Sequence, residues 1–303
     1  MPFEPGLVHT PLTPFSNDGR IDFDRYAKVI EFHLRHGADA LAVPMHAGES
    51  VSLTDVERRQ LIAFVVERAG KRAPVIAHVS DAGTGIATAL AKHAQAAGAA
   101  AIAATTPYYW TPPPAMVLEH FLQIGSAVDI PFFVLNAPED MAGAKINADL
   151  ALKLIAKLPN FSGVVDASLD WQFMIELMTS APRARDGFAL IAGTELMVSA
   201  AAIGASGMFS ALAAIAPKLA RELFDLCRQQ KLFEARARQE DVAALRQIVK
   251  PGGVAALKAA VRAMGRDCGN TRPPLLPLDA AAEKKLAAAI GALRALADEP
   301  RGW

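Results

Sequence analysis

Two histidines, a tyrosine pair and a set of scattered carboxylates give this chain its chemical options. His46 and His78 each close a short apolar run of strand character. Imidazole is the side chain whose unperturbed pKa lies nearest neutrality, so either residue can move a proton to or from a substrate. Grouped with carboxylates such as Glu49, Asp166 and Glu195, two imidazoles can instead hold a divalent metal ion, which would act as an electron sink. Asn136 and Thr194 place neutral hydrogen-bonding groups after two further runs. Tyr108-Tyr109 precede Trp110 and the stiff run Pro112-Pro113-Pro114. A phenol there can relay protons, and aromatic side chains of this kind also anchor subunit contacts. Each residue has a plainer reading beside the chemical one. A strand-end histidine is often a hydrogen-bonded structural residue, and Glu49 can simply hold its loop. His9 faces a helix layer by strand alternation, and His33, His36, His93 and His120 fall on helical patterns as surface or interhelical residues.

The elements that must position these groups alternate regularly. Apolar β-like runs are predicted at 6–10, 40–44, 74–79, 100–104, 131–135, 161–165, 188–192 and 206–209. Each is followed by a helix-length amphipathic segment, at 22–36, from Thr54 with its Thr-x-x-Glu cap, and at 84–97, 113–127, 148–157, 170–180 and 195–203. Gly37, Gly70, Gly98 and Gly204 stand where left-handed helix ends are expected. Near-continuous apolar strands separated by helices argue for a parallel sheet, and eight such units argue for a closed (β/α)8 barrel. No glycine-rich phosphate loop follows a strand, which weakens a dinucleotide-binding alternative. Further helices at 217–229, 232–249, 254–264 and 279–297 exceed the needs of a barrel. The expected organisation is a barrel over 1–214, then a closing helix and small helical domain over 215–303.

Bulk properties narrow the function classes. The chain has 303 residues, 31 basic and 31 acidic, and 52% hydrophobic residues. That length supports a large core. Balanced charge gives no electrostatic case for nucleic acid or an anionic membrane. Cys227 and Cys268 form neither a metal-ligand spacing nor a disulfide framework. No secretory leader and no membrane-spanning run is read, so the expected compartment is the cytoplasm.

Read at the strand ends, the chain resembles the dihydrodipicolinate synthase / N-acetylneuraminate lyase family. Thr13-Pro14-Phe15 matches that family's Thr-Pro-Phe, and Thr106-Pro107-Tyr108-Tyr109 its Thr-Pro-Tyr-Tyr. Met45-His46-Ala47-Gly48-Glu49-Ser50 stands at Gly-Thr-Thr-Gly-Glu-Ser, and Leu135-Asn136-Ala137-Pro138 at Tyr-Asn-x-Pro. Gly204-Ala205-Ser206-Gly207-Met208-Phe209-Ser210 is close to Gly-Ala-x-Gly-x-Ile-Ser. Lys258-Ala259-Ala260 and Arg272-Pro273-Pro274-Leu275 match the C-terminal pattern. The resemblance implies the barrel fold, small oxo-acid substrates, no cofactor, and a homotetramer or homodimer.

It also implies losses. The family's sixth strand ends on a lysine that forms a Schiff base with pyruvate, and here Gly163-Val164-Val165-Asp166 puts Val165 at that position. The threonine and second tyrosine of the family's proton relay correspond to His46 and Leu135. The carboxylate-binding threonine corresponds to Ala47, and the arginine of the fifth loop to Asp140. Losing the nucleophile of an integrated catalytic set costs on the order of 10^6 in turnover. Lys145, after strand five, is the one substitute amine considered. The resemblance therefore implies a lyase-like enzyme without an imine. Its catalytic groups would be His46 and Tyr109. Its substrate would lie among Ala47, Gly48, Glu49, His78, Leu135, Asn136, Val165, Thr194 and Phe209, and its subunit contact would use Tyr108, Tyr109 and Trp110. Alternatives are a non-catalytic protein binding a small acid, and a metal-dependent aldolase or hydratase using His46 and His78.

Overall fold

The computed structural model describes residues 4–137 and 143–303. Eight parallel strands close on themselves: β1 (Leu7–His9), β2 (Ala40–Val43), β3 (Val75–His78), β4 (Ala101–Thr105), β5 (Phe132–Asn136), β6 (Phe161–Asp166), β7 (Ala189–Ala192) and β8 (Gly207–Ser210). Each pairs with its sequence neighbour, and β8 pairs back to β1 through Leu7–Met208 and His9–Ser210. The (β/α)8 barrel is thus the observed fold.

Strand alternation sorts the core into two compartments. Val8, Ala42, Ile76, Ala103, Phe133, Leu135, Val165, Ile191 and Phe209 fill the barrel interior. Leu7, Leu41, Val75, Ile102, Val134, Val164, Leu190 and Met208 face the helices instead. The surrounding helices are α1 (Phe23–Arg35), α2 (Asp55–Ala69), α3 (Thr84–Ala96), α4 (Pro114–Gly125), α5 (Ala148–Lys157), α6 (Trp171–Ala184), α7 (Met197–Ala202) and α8 (Pro217–Arg228). Then follow α9 (Leu232–Val249), α10 (Gly253–Ala263) and α11 (Ala280–Ala292). Thr54 and Glu57 form the expected reciprocal cap on α2. Gly37, Gly70, Gly98 and Gly204 all adopt positive φ where α1, α2, α3 and α7 end.

Several boundaries differ from the sequence expectation, four of them for a clear local reason. β5 and β6 run one residue further because Asn136 pairs in register with Asp166 and donates Nδ2–H to its Oδ1 at 2.6 Å. α7 starts two residues later than expected, since both ends of Glu195 are engaged elsewhere: its carbonyl accepts from Gln239 and its carboxylate from Ser210 and the Leu212 amide. α11 stops at Ala292, where Leu293 turns extended before a short 3-10 turn at Arg294–Leu296.

The loop after β2 is tied to the end of the chain. Glu49 adopts a left-handed backbone (φ 57°), uncommon for a side chain of this kind. Its buried carboxylate lies 2.7 Å from the buried Lys258 ammonium. The same ammonium donates to Asn270 O, and the Arg272 amide donates to Glu49 Oε2. Arg272 in turn makes a two-pronged contact to Glu57 and donates to Ser52 O. Both cationic heads sit 4.4 Å from the centroid of the Phe15 ring. Burial pushes the Lys258 pKa down while Glu49 opposes that shift.

Candidate active site

Active sites of (β/α)8 barrels lie at the C-terminal ends of the strands. A cavity of about 220 Å³ opens there, between the barrel mouth and the C-terminal helices. Its barrel side is made by Thr10, Met45, His46, Ala47, Leu135, Ala137, Ala167, Thr194, Glu195 and Phe209. Its roof comes from Arg246, Val249, Lys250, Val254 and Leu257, on α9, α10 and the turn joining them. Most of this wall is aliphatic, with polar groups at a few points, the usual construction of a small-molecule site.

His46 is the exposed imidazole of the site, on the 3-10 turn His46–Gly48 that follows β2. Glu195 is buried and satisfied: Oε1 accepts from Ser210 Oγ and the Leu212 amide at 3.0 Å, and Oε2 lies 3.2 Å from Arg246. Arg246 is thereby oriented across the cavity. Lys250 lies one helical turn beyond it, solvent-exposed, with no carboxylate within ion-pair reach among the described residues. Beneath the cavity, Val165 is completely buried and points into the barrel between Leu135 and Ile191. No strand carries a lysine.

Of the residues expected here, His46, Ala47, Leu135, Thr194 and Phe209 come together as cavity wall. Others need correction. Glu49 does not reach the cavity, because its carboxylate is turned into the ion pair with Lys258. Gly48 packs against Pro11 O and the Thr13 hydroxyl, which donates to its carbonyl at 2.7 Å. Asn136 faces the helix side of the sheet, donating to Asp166 and accepting from the Ile146 amide. Asp166 also accepts from Ser168 Oγ, and burial raises its pKa against those hydrogen bonds. His78 points inward but is fully buried, with Nε2 2.6 Å from Ser80 Oγ. Burial, and then the nearby Arg58, bring its pKa down to about 3, so it stands as a neutral structural imidazole. Among the described residues, no three His, Cys, Asp or Glu side chains converge as a metal-ligand set.

Tyr109 is not a wall of this cavity. It projects from the β4–α4 loop with φ 82° and 94% of its surface exposed. Tyr108 is half-buried beside Asp81 and Arg58, and burial raises its pKa. Trp110 is exposed. Lys145 sits 3.8 Å from Asp170 on the surface and does not line the cavity. Asp140 lies outside the described residues. The other histidines are structural or superficial as expected: His9 and His33 meet through their Nδ1 atoms at 3.0 Å, and His120 bonds Thr84.

Sequence reasoning missed Arg246 and Lys250. The one signal for them was their i, i+4 spacing beside the helix-breaking Pro251-Gly252-Gly253.

Comparison with known proteins gives a consistent result. Residues 4–293 match the dihydrodipicolinate synthetase family. A 4-hydroxy-tetrahydrodipicolinate synthase of Azoarcus sp. (strain BH72) is 32% identical over 275 residues, covering 90% of this chain and 92% of the relative. The enzyme of that name from Neisseria meningitidis serogroup B (strain ATCC BAA-335 / MC58) is 32% identical over 300 residues, covering 95% and 98%. The crystal structure of dihydrodipicolinate synthase from Aquifex aeolicus superposes with a TM-score of 0.89 at 27% identity, over 95% of this chain and 97% of that one. Together with the closed barrel and the cavity at its mouth, these matches make the chain a member of the dihydrodipicolinate synthetase family, whose relatives are named as synthases.

Proposed function

We propose that this protein is a lyase-like enzyme of its family that acts on a small oxo-acid or related carboxylate without forming a Schiff base. The observation that carries the reading is Val165. It occupies the strand-six position where the family resemblance expects the amine, it is completely buried, and it points into the barrel among Leu135, Ile191 and other apolar side chains. An alkyl side chain cannot form an imine, so the iminium electron sink is gone. His46, at the rim of the cavity, takes the proton-transfer role.

Tyr109 contributes across a subunit contact in this reading. Its exposure, together with that of Trp110, Met116, Ile86, Val51 and Val56 on segments following β2, β3 and β4, supports a homo-oligomer that buries such side chains. Among the described residues no helix is long and apolar enough to cross a membrane. The relatives' named product, 4-hydroxy-tetrahydrodipicolinate, is not proposed for this chain, because Val165, Leu135 and Ala47 replace the groups that the resemblance assigns to that chemistry.

The test has two arms. Borohydride treatment with pyruvate and a panel of oxo-acids, read by intact mass, is expected to give no adduct; a trapped adduct would overturn the reading. His46→Gln is expected to lower turnover on any substrate found by about 10^2–10^4-fold. Unchanged turnover would remove His46 from the mechanism, and acid binding without turnover in the native protein would favour a non-catalytic binding protein.

A further inference from the structure

We infer that Lys250 is the cation that recognises the ligand's carboxylate, and that the ligand is a monocarboxylic oxo-acid with a branched aliphatic body. The inference rests on the reading above and names its substrate class. The cavity has two unlike ends. The barrel side is largely apolar, through Met45, Leu135 and Phe209, and its hydroxyls on Thr10 and Thr194 are neutral. Arg246 and Lys250, one helical turn apart on the roof, bring the cationic groups. Arg246 is already neutralised by the buried Glu195 at 3.2 Å. Lys250 is the cation left to meet an anion, among the described residues.

An acid therefore enters with its carboxylate toward Lys250 and its alkyl body toward the barrel. A second carboxylate would lie toward the barrel side, where among the described residues no lysine or arginine lines the cavity and Leu135 and Phe209 make much of the wall, and burying an unpaired charge there is strongly unfavourable. A body as small as the methyl of pyruvate would leave much of the 220 Å³ unfilled, a volume equal to about seven waters. His46 stands on the wall alongside, within the same cavity.

The deciding experiment is calorimetric titration of the full-length protein with 3-methyl-2-oxobutanoate, pyruvate and 2-oxoglutarate, repeated on Lys250→Met and Lys250→Arg. The native protein is expected to bind the branched acid about tenfold or more tighter than the other two. Lys250→Met is expected to weaken that binding by about tenfold or more, the scale of a hydrogen bond to a charged group, with the thermal midpoint unchanged. Lys250→Arg should restore it to within about threefold. Acid binding that survives Lys250→Met, or a preference for 2-oxoglutarate, overturns this inference alone and leaves the proposed enzyme class intact. A native protein that binds none of the acids defeats both readings. A borohydride adduct mapped to Lys250 would overturn the assignment of this residue as a non-covalent cation.

Discussion

The same loop after β2 serves two regions of opposite character. At one end, Glu49 is locked into a polar cluster in which Lys258, Arg272 and Glu57 all find partners and two cations meet the ring of Phe15. Three residues earlier, His46 stands exposed at a mostly aliphatic cavity with Lys250 opposite and unpaired among the described residues. Charged groups that have settled with one another hold the shape. Charged groups kept waiting beside an apolar wall are the ones available to a ligand.

That contrast can be broken by removing one partner from each region. Lys258→Ala leaves the Glu49 carboxylate buried and alone, and is expected to cost about 3–5 kcal/mol, read by urea unfolding. Replacing both partners, as Glu49→Gln with Lys258→Met, should recover much of that loss. If Lys258→Ala unfolds like the native protein, the cluster is not what holds the loop.

Acid should probe the buried imidazoles next. The folded pKa of His78 is depressed to about 3 from an ordinary 6.5, so the folded state binds fewer protons than the unfolded chain between those values. Its contribution to stability is complete above about pH 6.5 and is lost as pH falls toward 3. By pH 5 the loss should be about 2 kcal/mol, and His78→Asn should lose correspondingly less between pH 7 and pH 5. His33, also brought to about 3 by burial, should add to the same slope.

Arg246 belongs to both regions, since it pairs with buried Glu195 and also lines the cavity. Arg246→Ala should cost about 1–2 kcal/mol, because Glu195 keeps its bonds from Ser210 and Leu212. The smallest structural effect is expected for His46→Gln, within about 0.5 kcal/mol in the same unfolding assay, as befits an exposed side chain without structural partners. A large loss there would place His46 with the locked cluster rather than with the cavity.

The sequence made the barrel legible because parallel strands buried on both faces read as continuous apolar runs, and several intervening helices carry start or stop signals. Strand ends fixed by that topology led to His46, Ala47, Leu135, Thr194 and Phe209. Glu49 was misread as a ligand contact because alternation ends where the strand ends; a left-handed turn reversed its direction. Asn136 was readable in principle, since strand alternation puts it on the outward face, where it meets Asp166. Arg246 and Lys250 stayed hidden because a helical period reveals which residues share a face, not which distant element that face will cover. Tyr109 keeps its expected place on the loop but projects away from the cavity of its own chain.

The tie between Glu49 and the chain's end also sets an order of events during synthesis. All eight strands have been translated once Ser210 is made, yet the residues that hold the His46 loop, Lys258 and Arg272, follow about fifty and sixty residues later. A nascent chain stalled after Gly252 would carry every strand of the barrel and still have a loose mouth, with Glu49 lacking its cation. The loop that carries His46 therefore gains its anchor only after every strand of the barrel has been made.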